Sequence, residues 1–213
     1  MSVEWMLIRG SGIVAFALLA GSTIWGLLLS TKVLGSWAKA KPVAWFHESL
    51  AVGAVLATFV HMFALSIHEY IEFDWPDILV PGRATWRPTA VALGVVAFYG
   101  MTIISVSFYF KKFIGQQAWR AIHFGSFGVF VSTVLHGVMS GTDSGEPWMV
   151  GLYTGTAVAV ALLLLIRLAQ QFAAPAASKR PARRTLERVP EPVPSEVREE
   201  TLAERVSRMS AGA

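Results

Sequence analysis

Five apolar stretches, roughly residues 6–30, 44–68, 89–110, 120–140 and 148–171, constrain this chain more than any other feature. Crossing a bilayer takes about 20 mostly apolar residues, and each stretch meets that length. In lipid the backbone must satisfy its own hydrogen bonds, which leaves helices or closed barrels, and continuous apolar runs of this length favour helices. The expected fold is an all-α polytopic transmembrane bundle of five helices. Composition agrees, since 54% of the residues are apolar and only 15% charged, against about a quarter charged in soluble domains. Trp45, Trp75, Trp86, Trp119 and Trp148 stand at or just outside the ends of the runs, as interfacial aromatic belts do. The first run lacks a basic flank and is too long for a cleaved signal, so it reads as a retained helix.

The net charge of +4 would suggest nucleic acid in a soluble protein. In a membrane protein it reflects Lys and Arg collecting in cytoplasmic loops, and no nucleic-acid partner is expected. The first loop carries Lys32, Lys39 and Lys41 without an acid. The second sets Glu69, Glu72, Asp74 and Asp77 against Arg83 and Arg87. Lys111, Lys112 and Arg120 occupy the third, Asp143 and Glu146 the fourth. Arg167, Lys179, Arg180, Arg183 and Arg184 follow the last run. This alternation puts loops one and three and the C-terminus in the cytoplasm and the N-terminus outside. Residues 1–172 form the expected membrane domain. Residues 173–213, without aromatics, read as a solvated, disordered cytoplasmic tail. Within it, 195–209 could form an amphipathic partner-docking helix through Val197, Leu202, Val206 and Met209.

The chain has no cysteine, which excludes disulfides, iron–sulfur clusters and thioether-linked haem. Metal chemistry would have to rest on histidine, methionine or carboxylates. All five histidines lie in or at the edge of runs two and four. A lone intramembrane histidine usually serves an interhelical hydrogen bond; two pairs on two helices are costly enough to suggest function. Counted from Ala44 and Trp119, His47 and His123 lie three and four residues along, and His61 and His136 each lie 17 along. At 1.5 Å per residue the two levels are about 20 Å apart. Two stacked haems need that layout, with each iron held by one imidazole from each helix: His47 with His123 inside, His61 with His136 outside. Two imidazoles leave no open coordination position, which suits electron transfer.

Angles test the pairing. Fourteen residues bring His61 within about 40° of His47, whereas thirteen leave His136 about 140° from His123 on a regular helix. Gly125, Ser126, Gly128, Ser132 and Thr133 lie between, and such residues permit a bend. Arg120, and Arg83 or Arg87, are candidates to bind the propionates of the inner and outer haem; each could equally be an interfacial anchor. His68 reads as a solvated interfacial residue at the outer edge. Glu48, beside His47, could be solvated, relay a proton or bind a partner.

The spacings of 14 and 13, the opening Trp119-Arg120-x-x-His123, and Leu135-His136-Gly137 followed by Gly141-Thr142-Asp143 resemble the membrane domain of the ferric reductase/NADPH oxidase family. The stretch from Trp86 to Trp148 is also similar to stand-alone bacterial ferric reductase-like proteins, relatives of the haem-bearing membrane subunit of the periplasmic methionine sulfoxide reductase system. The resemblance covers about residues 8–170. It implies two b haems on the four matching histidines, in a subunit of the bacterial cytoplasmic membrane that passes electrons to an outer-side acceptor. Many relatives have six helices, and the large oxidases add a flavin and nicotinamide domain. The last 40 or so residues here contain no G-x-G-x-x-G. The expected donor is therefore separate: a flavoprotein, a quinol or a redox subunit in a hetero-oligomer, with flavin or quinone supplied through that partner. From other classes come a structural or accessory subunit of a redox complex, and a histidine relay conducting protons or ions.

Overall fold

The computed structural model describes residues 3–31, 33, 35, 41–68, 73–173 and 204–211. Its elements are α1 (Val3–Ser30), α2 (Lys41–Ser66), α3 (Trp75–Leu79), α4 (Pro88–Tyr109), α5 (Lys111–Ile114), α6 (Gln116–Phe124), α7 (Ser126–Ser140) and α8 (Pro147–Ala173). Helices α6 and α7 together make one span, Gln116–Ser140, so five helical segments are long and apolar enough to cross a membrane. They match the five apolar runs, and no strand occurs among the described residues. The protein is an all-α, multi-pass membrane bundle. Pro42, Pro88 and Pro147 stand in the first turns of α2, α4 and α8, where a missing N–H costs nothing.

Helix α1 packs against α2, and α4 against α7. Three side-chain clusters join these pairs. Phe16, Ala20 and Leu27 of α1 meet Phe130 of α7 and Met149, Tyr153 and Val160 of α8. At one end Met62, Phe73, Ile78, Ala84, Val91 and Val95 gather α2, α3 and α4. In the centre Leu19, Ala54, Ala97, Met101 and Val129 bring α1, α2, α4 and α7 to one point. Large side chains such as Leu56, Phe59 and Phe63 on α2 remain exposed, which suits a helix bathed in lipid.

The short helices α3 and α5 lie in the second and third loops, where apolar runs give no signal. Asp77 helps to start α3, its carboxylate accepting from the backbone N–H of Asp74 at 3.2 Å. At Gly125 the fourth span tightens. The Gly125 N–H donates back only three residues, to Ile122 O at 3.0 Å. A Cβ on residue 125 would sit 3.0 Å from that same oxygen, so glycine suits the position. Such a turn advances about 120° per residue rather than 100°. It rotates His136 toward the face of His123, the sense that the thirteen-residue spacing requires.

Met1–Phe172 and Ala173–Ala213 form two compact units. In the second, residues 204–210 are helical, with Arg208 3.8 Å from Glu204 and with Val206 and Met209 exposed. Lys32, Lys39, Glu69, Glu72, Lys179, Arg180, Arg183, Arg184, Val197 and Leu202 lie outside the described residues, as does the side chain of Lys41.

Candidate functional site

The histidines meet in pairs at two levels. The His47 and His123 rings lie with centroids 6.1 Å apart and planes at 78°. Both line a cavity of about 420 Å³ with Trp45, Glu48, Tyr109 and Trp119. His61 and His136 line a second cavity of about 100 Å³, walled mostly by apolar residues of α1, α2, α4 and α7. The first volume falls within the range, about 300–1,000 Å³, of sites for small molecules and cofactors, and the second is smaller. The central cluster separates the levels: Leu19 is seven residues from both Gly12 and Gly26, and Ala54 is seven from both His47 and His61.

Three of the four rings are tied to backbone. His47 Nδ1 donates to Ser22 O at 2.9 Å, His61 Nδ1 to Ile8 O at 2.8 Å, and His136 Nδ1 to Ala90 O at 2.7 Å. A carbonyl can only accept, so Nδ1 carries the proton, and in a neutral ring the lone pair is left on Nε2. That tautomer and that second bond are what a metal-ligating imidazole has. Ser22 adds a hydroxyl 3.1 Å from His47 Nδ1.

Close approach of helix and ring explains three glycines. A Cβ on Gly12 would meet His61 Cε1 and Nδ1 at 3.1 Å, one on Gly26 would meet His47 Cε1 at 2.9 Å, and one on Gly94 would meet His136 Cε1 and Nδ1 at 2.7 Å. Each glycine lies four residues after the accepting carbonyl. Sequence reasoning missed these residues. The signal was present, since Gly12 and Gly26 repeat the fourteen-residue spacing of His47 and His61, but only packing of α1 on α2 gives it meaning.

His123 differs. It stacks on Trp119, centroids 5.1 Å apart and planes at 21°. Lys111 Nζ lies 4.2 Å from the centroid of the same indole. The buried Trp119 Nε1 has no hydrogen-bond partner among the described residues. An orphaned donor beside a cavity calls for an acceptor on whatever fills it. On the same rim the Tyr109 hydroxyl donates to Glu48 Oε1 at 3.0 Å.

The three arginines named as propionate candidates stand outside the two cavities. Arg83 is mostly exposed, 3.8 Å from Asp77. Arg87, with φ 43°, donates to Met139 O and sits 4.8 Å over Trp86, bracketing α4 to the end of α7. Arg120 is exposed. None of the three lines either cavity. His68, just beyond α2, lies 6.0 Å from the Trp5 ring. Arg9, the residue after Ile8, pairs with Asp143, which is 14% exposed, so the turn of α1 that holds His61 is tied to the loop between α7 and α8. Asp143→Asn is expected to lower stability by about 1–3 kcal/mol, the worth of a charged hydrogen bond, read as a lower melting temperature in detergent.

Comparison with family models, with curated proteins and with solved structures finds no match to this chain.

Proposed function

We propose that this protein is a di-haem b-type cytochrome subunit that carries electrons across the bacterial cytoplasmic membrane, from a cytoplasmic or quinol donor to an outer-side acceptor. The observation that carries the reading is the pairing of one histidine from α2 with one from α6 or α7 at each of two levels, three of the four with Nδ1 held by a backbone carbonyl. Among the described residues no three or more His, Cys, Asp or Glu side chains gather around a point. A pair of imidazoles is too few for an all-protein metal site. It is sufficient for an iron whose four equatorial positions are filled by a porphyrin.

The residues fit the group. The His47 and His123 rings, 6.1 Å apart and on two different helices, would hold the group between them. The buried Trp119 Nε1 would donate to a carboxylate or other acceptor on the rim of the group. Haem would supply the one-electron chemistry when bound. The chain would contribute the imidazole nitrogens, the apolar walls and the spacing. A histidine relay fits less well, because three of the four Nδ1 protons are committed to carbonyls rather than passed on.

The cations Lys111, Lys112, Arg120 and Arg167 cluster near the His47/His123 end, which makes it the cytoplasmic, inner level by charge bias. The His61/His136 level is then the outer one. A reduced-minus-oxidised spectrum with a haem assay of the purified protein tests the proposal. Two b haems per chain are expected. A protein that folds and binds none would refute the reading and return the accessory-subunit alternative.

A further inference from the structure

Helix carbonyls are normally engaged with the N–H four residues on. At the three places where a histidine ring reaches the same oxygen, the residue at that fourth position lacks a Cβ. Ile8 with Gly12, Ser22 with Gly26, and Ala90 with Gly94 satisfy this condition, and each holds one histidine. The repeat predicts where a fourth seat would be. Thirteen residues separate His123 from His136, and thirteen residues beyond Gly94 is Ser107. Ser107 is buried and has a Cβ, and its hydroxyl donates to Ile104 O at 2.7 Å. The His123 ring makes no hydrogen bond to the backbone among the described residues. It leans on Trp119, which belongs to its own helix.

The segment that carries His123 is also lightly anchored. Helix α6 has nine residues, none of them buried, and it lies between Gly115 (φ 83°) and Gly125. Glycines at both ends let a short helix pivot. The cavity at this level is the larger of the two, and the exposed Trp45 and Tyr109 stand at its rim.

We propose that the two levels are unequal by construction: His61 and His136 are fixed ligands, whereas His123 is the ligand that can leave, so exchange with a small external ligand takes place at the His47/His123 level. The inference rests on the di-haem reading. Exchange breaks one bond from His123 Nε2 and forms one to the incoming molecule, with no change of oxidation state.

Carbon monoxide, mixed with the dithionite-reduced full-length protein in detergent, is the probe. Two phases of equal amplitude are expected, the faster by about two- to tenfold, the factor that the loss of one hydrogen bond supports. A His61→Ala/His136→Ala double variant, keeping only the other level, should retain the fast phase; His123→Ala provides the complementary assignment. Equal rates, a faster His61/His136 level, or no reaction at either would overturn this inference while two haems per chain left the di-haem reading intact. Absence of haem would overturn both.

Discussion

On the di-haem proposal, replacing His61 or His136 with alanine is expected to remove one of two haems and leave the other in place. Each iron would take one nitrogen from each of two helices, and the levels would share no ligand. Between them stands the cluster of Leu19, Ala54, Ala97, Met101 and Val129. The haem-to-protein ratio is therefore expected to fall from two to one, with one midpoint lost from a potentiometric titration. His47→Ala should give the mirror result, sparing the His61/His136 level. Loss of both haems in well-folded His61→Ala protein would mean that the levels are not independent.

Gly94→Ala, a change of one methyl group, is expected to act almost as severely as His136→Ala. The added Cβ would lie 2.7 Å from His136 Cε1 and Nδ1, closer than carbon and nitrogen tolerate. The ring must move, and its bond to Ala90 O is then lost. Removing such an outer-shell partner typically costs about 10–100-fold in affinity for the bound group, so this level should lose haem on dilution or gel filtration. Gly155→Ala on α8, where a Cβ meets nothing within 4 Å, should keep both haems. Gly12→Ala, with its contacts at 3.1 Å, should give a weaker version of the Gly94→Ala effect. Equal haem retention in Gly94→Ala and Gly155→Ala would show that the close seat is not needed.

Much of this architecture could be read from the chain alone, and what could be read is what lipid dictates. Runs of apolar residues must become helices because the bilayer offers no partner for a bare N–H or C=O. Residue counting then places histidines at matched depths because helical rise is constant. Thirteen residues between His123 and His136 remained awkward on a regular helix. The turn at Gly125, with its N–H bonded to Ile122 O, supplies added rotation in the required sense, and no periodicity shows such a turn. Arg83, Arg87 and Arg120 show what charge and depth leave open: Arg83 sits by Asp77, Arg87 caps a helix end and Arg120 is exposed.

The sequence by itself determined five spans, two levels of histidine and the absence of thiol ligands, because each depends on composition or on distance along one helix. Only the tertiary structure decided which carbonyl holds which ring, why glycine suits positions 12, 26 and 94, and why the His123 ring lacks a seat. These depend on the register of one helix against another, which side-chain packing sets over 25 to 53 residues of chain separation. Hydropathy along a single helix carries no record of it.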